Sequence, residues 1–262
     1  MTDTENTQIK SSNSLISDIK SLLPLLLFLV TLRIFVFGLF YVPTPSMSAT
    51  ILGGDYVFST HYNYGYSIYS LPFSPDIFKG RVLANQPERG DVVIMRPPHD
   101  MDIMYIKRLI GLPGEKVQII DDVTYINDEP IKRVEVGNHT DEYGVQFIKF
   151  KETMSNGTSF FSYKMKHPNK QLGLDQSNFG PYLVEEGHYF FMGDNRDGSG
   201  DSRYQLGNVP FRNLISKGHL VLFSIKEPLW DAQAGFFEQI GRIWTWISSI
   251  RFNRIANSLY EE

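Results

Sequence analysis

A lysine inside an apolar run is the first residue of this sequence with an evident chemical use. Lys107 lies in "MYIKRLIGLPGEKVQI", where its neighbours include Tyr105, Ile106, Leu109 and Ile110. Lysine ordinarily titrates near 10.4, so a pKa of about 7 requires disfavouring the ammonium by roughly 4.6 kcal/mol, which burial among apolar side chains can supply. A lysine adjusted in this way acts as a general base. Taken alone, Lys107 is more simply explained as an edge-strand lysine that opposes aggregation.

A candidate nucleophile for such a base is Ser46. It lies in "YVPTPSMSATILGGDYVF", a stretch that follows directly on an apolar run and packs prolines and hydroxyl residues into one turn. A serine hydroxyl is a weak nucleophile until a neighbouring base accepts its proton. On its own, Ser46 would be interpreted as an ordinary turn residue.

The other common catalytic groups are absent or badly spaced. The chain contains no cysteine, which excludes thiol nucleophiles, disulfides and thiolate metal sites. No histidine lies three or four residues from another or within an H-E-x-x-H pattern, so a zinc site has no support. A Ser-His-Asp triad could be assembled from distant positions, but no G-x-S-x-G elbow singles out a serine. We therefore predict neither a metal nor a cofactor.

The acidic segment "GDNRDGSGDSR", Gly193–Arg203, has the composition of a calcium loop but not its spacing. Counted from Asp194, the third position is Arg196, and counted from Asp197, the sixth is Ser202. An EF-hand loop needs an oxygen ligand at the third position and glycine at the sixth. The segment therefore needs another explanation.

Charge excludes one further class of function. The chain has 25 Lys and Arg against 29 Asp and Glu, a formal net charge of -4. A protein that tracks a phosphate backbone is ordinarily basic. We therefore expect no nucleic-acid partner.

An apolar run near the start predicts a membrane anchor. Residues 21–42 contain a single charge, Arg33, and as a helix they would be roughly 33 Å long, enough to span a bilayer. Lys10 and Lys20 precede the run, and no Lys or Arg comes after it before Lys79, so the positive-inside rule places residues 1–20 in the cytoplasm. The alternative is a long signal peptide cut after the run, although usual signal peptides have shorter apolar cores.

Beyond residue 42 the composition indicates a mostly β domain. Short runs rich in β-branched and aromatic residues are separated by Gly, Pro and Asp turns. The runs are "GDYVFST", "GDVVIMR", "KVQII", "TYIND", "HYFFMG" and "GHLVLFSI". The polar stretch 121–186 interrupts this pattern and is predicted to be an inserted second β subdomain between the two halves, 43–120 and 187–228, of the first.

The tail, residues 229–262, is predicted to contain an amphipathic helix. Apolar residues recur there at helical spacing, with tryptophans and arginines among them. The apolar positions are Phe236, Ile240, Ile243, Ile247 and Ile250. Such a helix would either lie on anionic lipid or pack on the protein's own core, and the aromatic segment His61–Phe73 leaves the same two options.

Four segments in the same order together resemble type I signal peptidases. "PTPSM" resembles the family's nucleophile segment, "RGDVVIMR" the strand after it, "YIKRLIGLPGEKV" the segment of its base, and "GDNRDGSGDSR" its last signature. The single anchor and the β domain outside the membrane also fit. The resemblance implies a signal-peptidase-like β fold and a membrane-anchored serine endopeptidase that removes signal peptides from exported preproteins.

The resemblance also implies residue roles. Ser46 is the expected nucleophile, Lys107 its general base, and the Thr44 hydroxyl would join the Ser46 N–H in an oxyanion hole. Ser199 would hydrogen-bond the lysine amine and orient it. Charge-assisted bonds would support the surrounding loop, from Asp194, Asp201, Arg203 and Arg108. The expected pocket walls are Val42, Pro43, Met47, Ile51, Tyr105 and Ile106.

Substrate and location are implied by the same resemblance. The family cuts after a small-x-small pattern, typically Ala-x-Ala, through an acyl-enzyme. Expected partners are preprotein signal peptides, membrane lipid and the nearby protein export machinery. The expected location is the bacterial inner or plasma membrane, with one span, a cytoplasmic N-terminus and the catalytic domain outside.

Two other classes of protein remain as alternatives. A membrane-anchored β domain that binds a partner without chemistry explains the anchor and the strands, but not the joint motif segments. A self-cleaving serine-lysine regulator on a related β scaffold would carry a DNA-binding region where this chain has its apolar run.

One position departs from the family pattern. Residue 45 is proline where many relatives carry glycine or another small residue. Proline fixes its own φ and lacks an N–H, and it biases the preceding Thr44 toward an extended conformation. The expected oxyanion donors, the Ser46 N–H and the Thr44 hydroxyl, are both retained.

Overall fold

The structure is a computed structural model that describes residues 20–168, 177–226 and 248–261. Those residues include one long helix, α1 (20–35), several short 3₁₀ turns and fourteen β-strands. The strands are β1 (Phe37–Val42), β2 (Asp55–Thr60), β3 (Val92–Met95), β4 (Tyr105–Gly111), β5 (Lys116–Ile120), β6 (Val123–Ile126), β7 (Glu129–Pro130), β8 (Lys132–Thr140), β9 (Gln146–Thr153), β10 (Ser159–Met165), β11 (Phe179–Leu183), β12 (His188–Met192), β13 (Val209–Pro210) and β14 (Leu214–Ser224). The predicted mostly β fold is confirmed.

Seven strands form the sheet that carries the candidate catalytic residues. Their order is β1-β2-β14-β3-β4-β12-β13, and every neighbouring pair is antiparallel. All six runs predicted as strands are strands, because each combines β-branched or aromatic residues with flanking turn residues. β1 lies at one edge of this sheet, so one side of its backbone pairs with no other strand there.

The apolar run 21–42 was predicted to be one helix, and this is wrong at its C-terminal end. α1 ends at residue 35, and Phe37–Val42 instead forms β1, which pairs with β2 along its whole length. Aromatic and β-branched residues fit a pleated, half-buried surface, and "FGLFYV" is such a stretch. Within the described residues, no helix has both the length and the apolar character to cross a membrane.

The insertion forms two smaller antiparallel sheets. One has the order β10-β9-β8 and the other β11-β5-β6-β7. β5 was predicted to lie in the first half of the catalytic domain, but it pairs with β6 and β11 and so belongs to the insertion. The inserted β subdomain, as described, therefore extends from β5 to β11.

The inserted subdomain covers the face of β4 that carries Arg108 and Ile110. On that face, Ile110 packs in an apolar cluster with Phe160 of β10 and Phe190 of β12. On the other face, Leu109 packs with Val93 and Phe191. Lys107 and Arg108 point to opposite faces of β4, and both are buried because both faces are covered.

The predicted C-terminal helix falls mainly in residues 227–247, outside the described residues. Residues 248–249 are helical, and from Ile250 onward the tail is extended or turned apart from the short 3₁₀ turn Phe252–Arg254. Arg251 and Arg254 bond to the protein itself: Arg251 Nε donates to Ser224 Oγ over 2.8 Å, and Arg254 forms a 2.6 Å ion pair with Asp55.

The same tail segment reaches the core. Leu259 is 1% exposed, and its carbonyl oxygen accepts a 3.2 Å hydrogen bond from the Arg108 guanidinium. The Tyr260 hydroxyl accepts from the Val92 N–H over 3.1 Å and donates to the Gly218 carbonyl over 2.9 Å. Leu259 and Tyr260 therefore pack into the main β domain, whereas most side chains of residues 252–258 are exposed.

Candidate active site

Ser46 lies in a tight turn directly after the edge strand. Pro45–Met47 forms a single 3₁₀ turn, with proline at its start, where its fixed φ is favourable. Thr44 has φ -114° and ψ 153°, so the extended conformation predicted from Pro45 is confirmed. Ser46 is buried, and its neighbour Met47 is completely buried in the apolar cluster below.

Lys107 approaches Ser46 from β4. Its Nζ lies 2.7 Å from Ser46 Oγ and donates a second hydrogen bond, of 3.0 Å, to the Ile106 carbonyl. The side chain is 4% exposed. Burial lowers the pKa of Lys107 to about 8, against the opposing influence of the Asp201 and Asp194 carboxylates. The predicted base and nucleophile are therefore in hydrogen-bond contact, in an environment that favours the neutral amine.

Thr44 lies on the open side of the same turn. Its Oγ1 is 3.4 Å from Ser46 Oγ. The hydroxyl can rotate, and Thr44 and Ser46 both line an open groove on this side of the sheet. This is a suitable position for a donor to an oxyanion formed when Ser46 attacks a carbonyl.

The Arg108 side chain lies on the opposite face of β4 from Lys107, and all three of its nitrogens are hydrogen-bonded. Its Nε and one terminal nitrogen each lie 2.8 Å from an oxygen of Asp194, a bidentate pair in which both side chains are at most 1% exposed. Its other terminal nitrogen donates to the Gly90 carbonyl over 2.9 Å. Thr50 Oγ1 donates to Asp194 over 2.6 Å. This network fixes the start of the loop after β12.

Asp201 and Arg203 form the second buried pair of that loop. Their side chains are joined by two hydrogen bonds of 2.9 Å and 2.7 Å, and Asp201 also accepts the Gly193 N–H over 2.9 Å. Burial would raise the pKa of Asp201, but the charge and side-chain hydrogen bonds of Arg203 lower it, together with the backbone N–H groups of Gly193 and Arg203. The carboxylate therefore stays ionised and holds the loop closed.

Ser199 differs from its prediction. Its hydroxyl was expected to bond the Lys107 amine, but in the described part of the chain Ser199 Oγ is buried without a hydrogen-bond partner. The Lys107 amine instead donates to Ser46 and Ile106. Ser199 does lie beside the nucleophile turn, because a Cβ at Gly193 would collide with both its side chain and the Ser46 carbonyl.

Asn195 was not predicted and contacts the nucleophile turn directly. Its side-chain amide donates to the Pro45 carbonyl over 3.1 Å, and its backbone N–H donates to the Ser46 carbonyl, also over 3.1 Å. Asn195 therefore links the acidic loop to the turn that carries the nucleophile. Its place inside "GDNRDGSGDSR" was the only available signal, since the contact joins residues about 150 positions apart.

The inserted subdomain supports the acidic loop from behind. The Tyr163 N–H donates to the Asp194 carbonyl over 2.7 Å, and the Arg196 N–H donates to the Tyr163 carbonyl over 2.9 Å. Lys164, on the same strand β10, forms a 2.7 Å ion pair with Asp197 and a 2.8 Å ion pair with Asp122. The loop is thus bonded on one side to the nucleophile turn and on the other to β10.

A second ion pair joins the same two regions. Arg196 of the loop lies 2.6 Å from Glu152 of β9, and both side chains are buried. Burial would raise the pKa of Glu152, but the charges of Arg196 and Arg133 and the hydrogen bond from Ser162 lower it. Glu152 therefore remains charged in the interior.

An open groove of about 520 Å³ leads to Ser46 and Lys107. Of the predicted pocket walls, Val42, Pro43, Tyr105 and Ile106 line it. Met47 and Ile51 are absent from its lining, because both are fully buried in the cluster beneath the turn. The groove also has walls that the sequence did not indicate: Arg33, Leu39, Phe40, Tyr41, Ile94, Met104, Gly198 and Gly200.

The site offers acid-base and nucleophilic chemistry without a metal. Within the described residues, no three histidine, aspartate or glutamate side chains converge to hold a metal ion. What the site contains is a hydroxyl, an amine with a lowered pKa, and a neighbouring hydroxyl donor. This set of groups suits acyl transfer.

Comparison with known proteins agrees with this chemistry. The family model for signal peptidase, peptidase S26, matches residues 15–223. A signal peptidase I of Rickettsia massiliae is 48% identical over 260 residues, which is 98% of each chain. One from Rickettsia typhi is 53% identical over 234 residues, 88% of this chain and 89% of its own.

Among solved structures, a signal peptidase I from Enterococcus faecalis V583 is 28% identical. The match covers 51% of this chain and 97% of that chain, with a TM-score of 0.31. The family assignment depends instead on the family model and on the curated relatives, which match nearly the whole chain. The chain therefore belongs to the signal peptidase family, peptidase S26, and is a serine endopeptidase of the signal peptidase I type.

Proposed function

We propose that this protein removes signal peptides from exported preproteins with a serine-lysine dyad formed by Ser46 and Lys107. The observation that carries the proposal is the 2.7 Å contact between Lys107 Nζ and Ser46 Oγ, made where the lysine is buried. With its pKa lowered to about 8, a usable fraction of the amine is neutral near neutral pH.

Acylation begins with proton transfer from Ser46 to Lys107. The neutral amine accepts the hydroxyl proton as Ser46 Oγ bonds to the substrate's carbonyl carbon, giving a tetrahedral oxyanion. The Ser46 N–H and the Thr44 hydroxyl stabilise that oxyanion. As the peptide C–N bond breaks, the Lys107 ammonium returns the proton to the leaving amine, and the signal peptide remains as an ester on Ser46.

Deacylation uses the same two residues, with Lys107 again as the base and Ser46 Oγ now as the leaving group. Lys107 takes a proton from a water molecule as the water oxygen attacks the ester carbonyl. The ester C–O bond then breaks, and Ser46 Oγ recovers the proton from Lys107. The neutral lysine is restored, and no metal or cofactor is required.

The groove supports preference for small side chains near the cleaved bond. Its walls at the Ser46 end include Val42, Ile94 and Ile106, which are large relative to alanine. An extended substrate can add to the free edge of β1, and its alternate side chains then point toward those walls. We propose cleavage after a small-x-small sequence such as Ala-x-Ala.

The exposed surface of α1 supports attachment to a membrane. Leucine and phenylalanine side chains along it are about half exposed, including Leu22, Leu26, Phe28 and Leu29. Apolar side chains exposed along a whole helix are favourable in lipid and unfavourable in water. We propose that α1 lies in the bacterial inner or plasma membrane, with residues 1–20 cytoplasmic and the catalytic domain outside, close to the export machinery and its preproteins.

Cleavage of a purified preprotein with an Ala-x-Ala site tests the proposal. The intact protein in lipid is compared with Ser46→Ala and Lys107→Ala, and we expect each variant to lose activity by a factor of about 10⁴ or more. Circular dichroism and thermal melting establish that both variants are folded. Activity in either variant close to that of the intact protein would reject the dyad.

A membrane-anchored binding module is the competing function. It predicts that the folded protein cuts no preprotein and that Ser46→Ala leaves partner binding unchanged. The contact between Ser46 and Lys107 and the family assignment favour the protease.

A further inference from the structure

Arg33 is a charged residue to which the proposed mechanism assigns no role. It is the single charge in the apolar run 21–42, and it lies two residues before the end of α1. A charged side chain in an apolar helix is unfavourable unless it has a partner, so it marks a candidate functional site. Any role in binding substrate rests on the proposed function, because the substrate is that of the Ser46 site.

The Arg33 guanidinium lies on the free edge of β1. The Val36 carbonyl accepts from the His61 N–H, and the Val42 carbonyl accepts from the Gly54 N–H, so even-numbered carbonyls point toward β2. In an antiparallel pair the odd-numbered carbonyls then point the other way. Arg33 donates to two of these, Phe37 over 3.2 Å and Leu39 over 3.4 Å.

The groove continues past Arg33 into a second cavity of about 360 Å³. Arg33, Phe40 and Met104 line both spaces, and Arg96 and His61 line the second one. Within the described residues, no carboxylate lies within 4.0 Å of the Arg33 guanidinium or of the Arg96 guanidinium. His61 Nδ1 and Arg96 Nε are buried without a partner there. The guanidiniums of Arg33 and Arg96 therefore give the upstream end of the groove a positive charge.

Substrate geometry connects this end of the groove to the signal peptide. The six residues of β1 extend about 20 Å from the end of α1 toward Ser46. A substrate whose apolar segment lies in the membrane beside α1 reaches Ser46 along that edge. The last carbonyls of a helical apolar segment have no intrahelical partner, and cations stabilise them.

We propose that Arg33 is a substrate-binding residue that receives the carboxyl end of the signal peptide's apolar helix, upstream of the cleavage motif. Its guanidinium releases Phe37 and Leu39 and donates to the substrate's carbonyls. The carbonyls of β1 that it leaves then pair with the extended residues next in the substrate. Arg33 thereby fixes the distance between the apolar segment and the cleaved bond.

The experiment compares two substrates in phosphatidylcholine vesicles containing the full chain. One is a preprotein with its complete apolar segment, and the other is a short peptide with only three residues before the cleaved bond. We expect Arg33→Gln to lower kcat/KM about tenfold more for the preprotein than for the peptide, mainly through KM. Arg33→Lys should recover part of this loss. The matched control is Lys20→Gln, which removes a cation from the far end of α1 and should leave both substrates unaffected.

Each other outcome overturns the inference. Equal losses for both substrates would show that Arg33 only supports the fold, and no loss would show that it has no contact with the substrate. If adding phosphatidylglycerol changed the Arg33→Gln effect for both substrates alike, the partner would be a lipid phosphate. Failure of the unaltered protein to cut either substrate would instead refute the proposed protease function itself.

Discussion

Lys107 and Arg108 are neighbours on β4 that point to opposite faces, and their hydrogen-bond partners differ in kind. Lys107 faces the groove, where its amine contacts the Ser46 hydroxyl and the Ile106 carbonyl and, among the residues that the structure describes, bonds to no carboxylate. Arg108 faces the inserted subdomain and the tail, where a bidentate carboxylate and backbone carbonyls take up its hydrogen bonds. Both side chains are buried.

The difference shows how one strand provides both a proton acceptor and a fixed charge. Burial without a bonded carboxylate lowers the pKa of Lys107, so that its proton can leave. Burial would also lower the pKa of Arg108, but the charge and hydrogen bonds of Asp194 outweigh it and raise that pKa. One strand therefore carries a reactive amine on one face and a fully hydrogen-bonded charge on the other.

Replacing Arg108 or Lys107 by methionine should give the largest difference in unfolding free energy between two variants. Arg108→Met leaves the Asp194 carboxylate buried without its partner, which costs about 3–5 kcal/mol of unfolding free energy. Lys107→Met removes a buried amine that bonds no carboxylate, and should leave stability unchanged or higher. Chemical denaturation of the two variants measures both effects, and equal destabilisation would contradict the comparison.

The pH dependence of Lys107 sharpens the same contrast. Its pKa is about 8 in the folded protein against 10.5 normally, so between these values the unfolded chain binds more protons and stability rises with pH. The free energy of unfolding should therefore rise by about 3 kcal/mol between pH 8 and 10.5. Activity should rise through about pH 8 as the amine becomes neutral.

Two measurements separate these effects. The rate profile with chemistry limiting tests the base, and a rate that is flat from about pH 5 to 10 would exclude Lys107 from that role. Denaturation at several pH values tests the linkage. Lys107→Met should remove the rise in stability, because no other residue near Ser46 in the described part of the chain has a pKa lowered into this range.

Two lysines of the inserted subdomain test whether the loop needs its support. Lys164 is buried between Asp197 and Asp122, whereas Lys116 forms an exposed 2.6 Å pair with Asp128. We expect Lys164→Met to cost about 2 kcal/mol and to lower kcat more than it raises KM, since the loop holds the nucleophile turn. Lys116→Met, with the same loss of charge, should cost less than about 1 kcal/mol.

Rescue decides whether Lys164 acts through the loop. Lys164→Arg keeps the charge and should restore most of the kcat. A loss of stability without any change in kcat would confine Lys164 to a structural role in the insertion.

Ser199→Ala should have the smallest effect on stability. The hydroxyl is buried without a bond in the described part of the chain, so its removal leaves no partner unsatisfied, and we expect a change within about 0.5 kcal/mol. Activity tests whether Ser199 nevertheless orients the base. A lower kcat with unchanged stability would mean that the hydroxyl bonds the lysine amine only when substrate is present.

The main sheet was predictable because its strands alternate between defined turns. The acidic loop and the segment around Lys107 were identified by their motifs, and the structure brings them together with Ser46. The end of α1 was not predictable, because "FGLFYV" continues an apolar run in which helix and strand have no distinguishing period. The burial of Met47 and Ile51 depends on the direction of a 3₁₀ turn, which composition does not specify.

The contacts made by Asn195 and Lys164 could not be derived from local pattern at all. Each joins segments far apart in the chain, so only the tertiary fold defines its partner. The path of the tail from Ile250 onward depends on distant residues for a similar reason. Pairing of Ile250 with Ile225 and the ion pair between Arg254 and Asp55 hold it in an extended path across the sheet.

The path of residues 250–261 has a consequence for the timing of activity during synthesis. Arg108 can donate to the Leu259 carbonyl only after this segment has left the ribosome and joined the domain. The same holds for the hydrogen bonds that the Tyr260 hydroxyl makes to Val92 and Gly218 of the sheet. We expect a nascent chain stalled before residue 250 to cut no substrate even though Ser46 and Lys107 are already made. The protease would thus become active only after residues 250–261 have joined the folded domain.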